Sequence, residues 1–442
     1  MKKIRRPQVT GRLPGPKARR LIRRDQAILS PSFTRPYPFA VDHARGLWMT
    51  DLDGNVFLDF TAGIAVAQTG HCHPEVVRAI KRQAGKLLHM SGTDFYYAPQ
   101  VELAEKIAKA APGKFAKRVF FTNSGAEAVE TAFKLVRYKT GRERMIAFYG
   151  AFHGRTMGAL SLTGSKVKQK AHFGSLVPGV THVDYPNPYR LALGQGGEHE
   201  DVISYIENVL FKKTVPPEEV AAVIVEPIQG EGGYIVPPED FHPRLRALTK
   251  KFGILLIADE VQSGMGRTGK MFAMEHWGVE PDMITAAKGI ASGMPLGAVI
   301  ARADLMEWEP GSHGTTFGGN PVSCAAGLAT FHLLEKKLLR NAELMGDYLQ
   351  ARLNELYKKY PIVGDVRGIG LMVGMEMIKD RNEHAPAPAL RDAVIEESFR
   401  RGLLLLGCGE STVRFAPPLS VNSREIDTAV EIIELAIKKV SH

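Results

Sequence analysis

The chain has 442 residues, 44% of them hydrophobic and 24% charged, as expected of a globular protein with a large buried core. Its apolar runs are much shorter than the roughly 20 residues of a membrane span. The residues near residue 1 do not include the apolar stretch that is typical of a secretory signal. The three cysteines, Cys72, Cys324 and Cys408, are widely spaced, which argues against a disulfide framework or a zinc site. We expect a cytoplasmic protein of two or more domains that does not bind membranes.

The net charge of +10 is carried by the first 24 residues, which contain ten Lys or Arg and no Asp or Glu. The rest of the chain is neutral, with 47 residues of each sign. Such a basic arm can bind nucleic acid or a membrane surface, or serve as a mitochondrial transit signal, although it contains no Ser. It can also be a solvated arm that lies across the body or a partner subunit. We favour the solvated arm and expect no nucleic acid partner.

The hydrophobic pattern predicts a hairpin at Trp48–Phe60, turning at Asp53-Gly54, followed by helices and then by alternating strands and helices. The predicted helices of this part are Pro74–His89, Val101–Ala111, Ala126–Tyr138 and Phe241–Phe252. The predicted strands are Arg118–Thr122, Met145–Phe148, Ala221–Glu226, Ile254–Asp259, Met283–Ala286 and Ala298–Ala301. This alternation predicts a mostly parallel sheet covered on both faces.

The pattern changes after about residue 325, where a smaller α+β unit is predicted. Its predicted segments are the helices Val322–Leu338 and Asn341–Tyr360, the segment Val366–Glu376, the helix Leu390–Arg401, the strand Leu403–Leu406, the segment Val413–Phe415 and the helix Arg424–Val440. We expect the N-terminal hairpin to pack with this unit. The predicted domains are therefore 1–65, an arm and hairpin that join the small domain, 66–335, a large domain, and 336–442, the small domain.

Polar residues follow several predicted strands, and ligands of open α/β sheets bind at the carboxyl ends of strands. In Phe120–Glu127, Ser124 and Gly125 precede a helix, where free backbone N–H groups and the helix dipole attract an anion. The alternative is a simple helix cap.

A second buried strand ends in two acids, Asp259 and Glu260. A carboxylate in this position costs free energy unless it meets a cation, and a protonated pyridine nitrogen would be one. The alternatives are a helix cap and a metal ligand.

Lys288 follows another apolar strand, and a lysine in a desolvated pocket can lose its proton and become a nucleophile. The alternative is an ordinary surface lysine. Glu226 begins a fourth segment, Glu226–Gly233, in which two acids and three glycines follow a buried strand. The alternative there is a tight turn with solvated acids.

Other motifs are absent or weak. The chain has no catalytic triad motif, Walker loop or GxGxxG fingerprint. His71-Cys72-His73 has no second ligand pair, and adjacent residues of a strand point to opposite faces, so we predict no metal there.

Together these segments resemble the class III aminotransferases, which are fold type I enzymes that depend on pyridoxal phosphate. The resemblance extends from Trp48 to the last helix and is greatest for aminobutyrate aminotransferases, followed by ornithine aminotransferases. It implies a large cofactor-binding domain with a mostly parallel sheet and a smaller α+β domain.

The resemblance also implies the roles of residues around the cofactor. Lys288 would form a Schiff base with it and act as the catalytic base, and Asp259 would pair with its ring nitrogen. The other implied cofactor contacts are Phe152 and Val261 on the ring faces, His153 beside the ring, Gln262 near the ring hydroxyl, Ser124, Gly125 and Ala126 at the phosphate, Glu226 nearby, and Thr316, which would reach the phosphate of a neighbouring subunit. The active unit is therefore expected to be a homodimer or a larger homo-oligomer.

Four residues are implied in substrate binding. Arg155 resembles the arginine that binds the carboxylate distant from the reacting amine, and Arg414 resembles the one that binds the α-carboxylate of glutamate. Glu231 resembles the acid that pairs with Arg414 when the substrate has no α-carboxylate. Position 64 holds Ile64, as in aminobutyrate enzymes, where ornithine enzymes usually have Tyr.

We therefore predict an aminotransferase that moves an amino group from an ω-amino acid, similar to 4-aminobutyrate or ornithine, to a 2-oxo acid such as 2-oxoglutarate. The alternative is an amino-acid racemase or epimerase on the same scaffold, because the two reactions differ only in where the proton returns. A nucleic-acid-binding protein that uses the basic arm would leave Lys288 and Asp259 unexplained.

Overall fold

A computed structural model of the chain describes residues 6–192, 201–382 and 384–441. The chain divides into two compact units. The central unit is Pro74–Leu339, and the terminal unit combines the residues up to His73 with those from Arg340 onward. Residues 1–5 of the predicted basic arm lie outside the described residues.

The strands are short, as in most α/β proteins. In chain order they are β1 (Val41–Arg45), β2 (Trp48–Asp51), β3 (Val56–Asp59), β4 (Lys117–Thr122), β5 (Arg144–Phe148), β6 (Val180–Val183), β7 (Val220–Val225), β8 (Leu255–Asp259), β9 (Met283–Ala286), β10 (Gly297–Arg302), β11 (Val363–Ile369), β12 (Met372–Met377), β13 (Leu403–Leu404), β14 (Leu406–Cys408) and β15 (Thr412–Phe415).

The helices range from single turns to more than five turns. In chain order they are α1 (Pro16–Ile28), α2 (Ala62–Ala65), α3 (Pro74–Ala84), α4 (Ala98–Ala110), α5 (Gly125–Thr140), α6 (Met157–Leu162), α7 (Pro188–Ala192), α8 (Val202–Tyr205), α9 (Phe211–Lys213), α10 (Phe241–Lys251), α11 (Pro321–Leu333), α12 (Leu339–Lys359), α13 (Pro388–Arg400) and α14 (Ser423–Val440).

The central unit contains a seven-stranded sheet in the order β4-β10-β9-β8-β7-β5-β6. Strand β10 is antiparallel to both of its neighbours, and the remaining pairs are parallel. All six residues of β7 are buried, as expected of a strand covered on both faces. The predicted mostly parallel sheet is thus confirmed, and its parallel strands deliver their carboxyl ends to one edge.

Helix α5 contributes an apolar face to the core of this unit. Ala128, Ala132 and Val136, spaced four residues apart, are fully buried in one cluster with residues of the strands, such as Ala222 and Ile224 of β7. The same cluster also includes larger side chains of α5, namely Phe133 and Leu135. This packing fixes the N-terminus of α5 relative to the strand ends.

The terminal unit contains two four-stranded sheets, ordered β1-β2-β3-β13 and β11-β12-β15-β14. The first sheet joins the N-terminal hairpin to the C-terminal region, since Leu403 pairs with Leu58 in parallel register. Helix α1 begins beside the hairpin turn, where the carboxylate of Asp53 accepts hydrogen bonds from the N–H groups of Lys17 and Ala18, each 2.9 Å long. Residues 16–24 of the predicted solvated arm are therefore helical.

Two predictions in the C-terminal region were wrong in detail, and one segment without a predicted structure there is now defined. No non-helical residue separates the two long helices, because a π-helical turn at Leu334–Leu338 links α11 to α12. Segment Val366–Glu376 is a hairpin, β11 and β12, that turns at Gly370. Predicted strand Leu403–Leu406 is divided between β13 and β14, which belong to different sheets.

Among the described residues, no helix combines the length and the apolar character that crossing a bilayer requires.

Gly346 tests the packing of α12 against the turn between β11 and β12. A Cβ added there would lie 2.2 Å from the carbonyl carbon and oxygen of Gly370. Alanine stabilises a helix by about 1 kcal/mol relative to glycine, but the clash is expected to outweigh this gain and to lower the free energy of unfolding of Gly346→Ala by roughly 1–3 kcal/mol. Thermal unfolding measures the effect, with Asp347→Ala at the next, exposed position as control. A melting temperature for Gly346→Ala at or above that of the control would contradict this packing.

Candidate active site

The polar residues predicted to act together follow the carboxyl ends of neighbouring parallel strands in the central unit. Phe152 and His153 lie beyond β5, Glu226 follows β7, Asp259 ends β8, and Lys288 follows β9. Strands β9, β8, β7 and β5 are neighbours in the sheet and run parallel to one another, so these ends share one edge of the sheet.

Asp259 is 3% exposed and fully hydrogen-bonded. Its Oδ1 accepts from the N–H of Val261 at 3.1 Å and from the hydroxyl of Thr285 at 3.0 Å. Its Oδ2 lies 2.6 Å from Nδ1 of His153. Burying a carboxylate is costly unless such donors offset the loss of water, so three separate chain segments must meet at this residue.

His153 is held from two sides. Its backbone N–H donates to the hydroxyl of Thr163 at 2.9 Å, and its Nδ1 carries the proton donated to Asp259, as the short contact with a carboxylate requires. Its side chain is fully buried, and Nε2 has no hydrogen-bond partner among the described residues. A buried polar atom without a partner is uncommon and marks a position where a ligand can bind.

The N-terminus of α5 lies next to the segment that follows β8. Ser124 is the N-cap, with its hydroxyl accepting from the N–H of Glu127 at 3.3 Å, so the capping interpretation holds. The N–H groups of the first turn, which include those of Gly125 and Ala126, have no intrahelical acceptor. A Cβ on Gly125 would lie 2.7 Å from Cγ1 of Val261, so only glycine allows this approach.

Glu226 connects two loops. Its carboxyl accepts from the N–H of Phe152 and from that of Gly230, each at 3.2 Å. Burial raises the pKa of Glu226 to about 7, an effect that nearby His153 opposes. Gln262 lies close to the same loop and accepts from the hydroxyl of Tyr234 at 3.0 Å.

Glu260, the second acid of the strand, has a structural role. It is fully buried and accepts hydrogen bonds from the hydroxyl of Ser263 and from the N–H groups of Ala273 and Met274, at 2.7 to 2.9 Å. Burial raises its pKa to about 7. The capping alternative therefore applies to Glu260, whereas Asp259 faces His153.

Lys288 opens a short 3-10 turn, Lys288–Ala291, with its backbone at a φ of 47°. Few residues other than glycine adopt this left-handed region, and such strain is found most often at functional positions. The flanking residues Ala287 and Gly289 are buried and Lys288 is half-buried. The surface-lysine alternative does not fit this environment.

The residues implied in substrate binding are divided between the two units. In the central unit, Arg155 is exposed with its guanidinium carbon 5.6 Å from the centre of the Phe152 ring, and Glu231 lies 2.6 Å from Nζ of Lys166. In the terminal unit, Ile64 has a φ of 65° and is 44% exposed, and Arg414 lies in β15, where it is buried.

Three residues with clear contacts here were missed from the sequence: Thr285, Thr163 and Lys166. Thr285 is a polar residue within the apolar strand β9, and this was a detectable signal. Lys166 had none, because its partner Glu231 lies 65 residues away in the chain.

Comparison with known proteins places this arrangement in a family. The profile of the family described as Aminotransferase class-III matches residues 30–437. The chain is 40% identical to an alanine/serine racemase from Pyrococcus horikoshii, over 98% of this chain and 93% of the relative. It is 41% identical to a 4-aminobutyrate aminotransferase from Escherichia coli, over 93% of this chain and 96% of the relative.

A solved structure of a thermostable (S)-enantioselective omega-transaminase from Thermomicrobium roseum has the same fold. It superposes with a TM-score of 0.88 and 34% identity, covering 96% of this chain and 99% of that one. These likenesses confirm the predicted fold type I architecture with its large central sheet. The chain belongs to the class III aminotransferases.

Proposed function

We propose that the chain is a pyridoxal-phosphate-dependent aminotransferase that moves the amino group of an ω-amino acid, similar to 4-aminobutyrate or ornithine, to a 2-oxo acid such as 2-oxoglutarate. One observation carries the proposal. In the register of β8 and β9, the buried Asp259 pairs with Thr285, and the strained Lys288 follows three residues later. A buried acid at the end of one strand and a half-buried lysine just beyond the end of the adjacent strand are the pair that this chemistry needs.

The residues of the central unit fit this cofactor. Asp259 offers a buried carboxylate to a protonated ring nitrogen, and the N-terminus of α5 offers free N–H groups to a phosphate. Phe152 and Val261 would contact the ring, and Gln262 and Glu226 lie in the adjoining loops. When bound, pyridoxal phosphate withdraws electrons from the carbon that carries the substrate amine.

The protein supplies the charges and the proton transfers. Asp259 would keep a bound ring cationic, and the hydrogen bond from Nδ1 of His153 holds the carboxylate in place. Nζ of Lys288 would accept the proton from the amine-bearing carbon and, in amino transfer, would return it to a different carbon from the one that lost it.

The assignment of substrate contacts belongs to the proposal. Arg155 would bind the distant carboxylate of the ω-amino acid, and Arg414 would bind the α-carboxylate of the 2-oxo acid in a bidentate geometry. Glu231, in the central unit, would lie near the α-position of the substrate and would supply a negative charge there when the substrate lacks that carboxylate. Ile64 would contact the aliphatic part of the substrate, which favours 4-aminobutyrate over ornithine.

A homodimer is supported by an apolar surface of the central unit around Thr316. The hydroxyl of Thr93 donates to the carbonyl of Thr315, and that of Tyr97 to the carbonyl of Gly319, which joins two loops into one surface. The two loops carry five exposed apolar side chains, which we take as this apolar surface: Leu88, Met90, Phe95, Tyr96 and Phe317. Such patches are typical of subunit interfaces. Thr316 lies beside this surface, so a second copy bound there would allow Thr316 to reach the cofactor phosphate of the neighbouring subunit.

A racemase remains the second candidate, because the relative from Pyrococcus horikoshii carries that name. Incubation of the cofactor-loaded protein with one L-amino acid and no 2-oxo acid distinguishes the two. An aminotransferase releases one carbonyl product per active site and then stops. A racemase accumulates the D-enantiomer catalytically without net release of a carbonyl product, and that outcome would contradict our proposal.

Asp259→Asn tests the role of the buried acid. The substitution keeps the shape but removes the charge that holds the ring cationic, so we expect kcat for amino transfer to fall by about 100-fold or more while part of the cofactor stays bound. Steady-state kinetics and cofactor absorbance measure both quantities, with the exposed Asp240→Asn as control. A rate for Asp259→Asn within threefold of the control would refute the role.

Tyr96→Glu tests the dimer. Tyr96 is 99% exposed, so the substitution costs no folding free energy in the single chain but places a charge in the proposed interface. Light scattering is expected to show a monomer with greatly reduced amino transfer, since Thr316 would no longer reach a neighbouring site. Leu435→Glu, an exposed apolar position on α14, should remain a dimer. An unchanged mass for Tyr96→Glu would exclude this surface as the interface.

A further inference from the structure

Three loops of the central unit are locked together by hydrogen bonds at the sheet edge. The N–H of Gly150 donates to the carbonyl of Gly164 at 3.0 Å, and the N–H of Gly164 donates to the carbonyl of Ala151 at 2.8 Å. The side-chain amide of Gln229 donates to the carbonyl of Tyr149 at 2.8 Å. The loops at 149–155, 163–166 and 229–233 therefore hold one another in register.

Glycines make this arrangement tight. A Cβ on Gly150 would lie 2.4 Å from Oε1 of Gln229, and one on Gly232 would lie 2.0 Å from the same atom. A Cβ on Gly164 would lie 2.8 Å from the carbonyl oxygen of Phe148. The amide of Gln229 thus fills a slot that only glycines can line, and little freedom remains for the residues next to it.

Lys166 and Glu231 extend from two of these loops toward each other. Nζ of Lys166 lies 2.6 Å from Oε1 of Glu231, and the side chains are 47% and 20% exposed. Their backbones are fixed within two residues of Gly164 and Gln229, so the loops hold the two side chains within reach of each other. Because Lys166 is partly exposed, the pair is expected to have the modest strength of a surface ion pair.

We propose that Lys166 is a specificity-determining residue, which holds the carboxylate of Glu231 and neutralises it when a dicarboxylic substrate is bound. The inference rests on the proposed function, in which Glu231 is the acid near the substrate's α-position. A 2-oxo acid with two carboxylates brings a negative charge to that position, whereas 4-aminobutyrate brings none. Without Lys166, the charge of Glu231 is less compensated and repels the dicarboxylate alone.

Lys166→Met tests this against Lys168→Met, which removes an exposed lysine two residues away. In the cofactor-loaded enzyme, Lys166→Met is expected to raise KM for 2-oxoglutarate by about two- to fivefold, the range for a partly exposed ion pair. The KM for 4-aminobutyrate and the melting temperature should stay at the values of the control. Lys166→Arg should restore the KM for 2-oxoglutarate, because it keeps the charge.

Equilibrium binding provides a readout that does not need turnover. Calorimetry with glutarate, an unreactive dicarboxylate, should show the same two- to fivefold loss of affinity in Lys166→Met, whereas butyrate should bind as it does to the control. In a Glu231→Gln background, Lys166→Met should have no further effect on glutarate.

Two outcomes would overturn the inference: equal weakening of glutarate and butyrate, which indicates a structural role, or no difference between Lys166→Met and Lys168→Met. Failure of the proposed function is distinct, since the unaltered enzyme would then transfer no amino group from any ω-amino acid.

Discussion

The carboxylate of Asp259, buried at the carboxyl end of β8, is the constraint on which the candidate site depends. Its charge is offset by the hydroxyl of Thr285 from the next strand and by His153 from the loop after β5. Because removing a carboxylate from water costs several kcal/mol, these donors must be positioned before the site is stable. The parallel sheet meets this requirement by placing the ends of neighbouring strands at one edge. Because β9 lies beside β8, the same arrangement brings Lys288, which follows β9, to the edge at which Asp259 lies.

The cofactor residues alone do not separate an aminotransferase from a racemase. Relatives bearing either name are about equally identical to the chain, at 41% and 40%. The difference must therefore lie where substrate charges are recognised and protons are returned. In the central unit we propose that this is the region of the loops at 149–155, 163–166 and 229–233, which place Glu231 against Lys166 and Arg155 beside Phe152. Small changes there can alter which acid is accepted without disturbing Asp259.

The sequence predicted the parts of the fold that depend on local pattern. Strands β7 and β8 were predictable because strands buried on both faces have continuous apolar runs. Strand β6, Val180–Val183, was missed because it is a partly exposed edge strand with little apolar signal. The break predicted between α11 and α12 was wrong because no residue there ends a helix. Lys288 and Asp259 were predicted as site residues because charged residues at the ends of apolar strands are conspicuous. Gln229 and Lys166 were not, because their contacts join loops that are 80 and 65 residues apart.

The central claim is that Lys288 is the attachment point of pyridoxal phosphate. Reduction of the cofactor-loaded protein with borohydride, followed by peptide mapping, tests it most directly, because reduction makes a labile carbon–nitrogen bond permanent. We predict that the added mass of the cofactor is found on the peptide that contains Lys288, at about one group per chain. Labelling of a different lysine, or no label on loaded protein, would contradict the account.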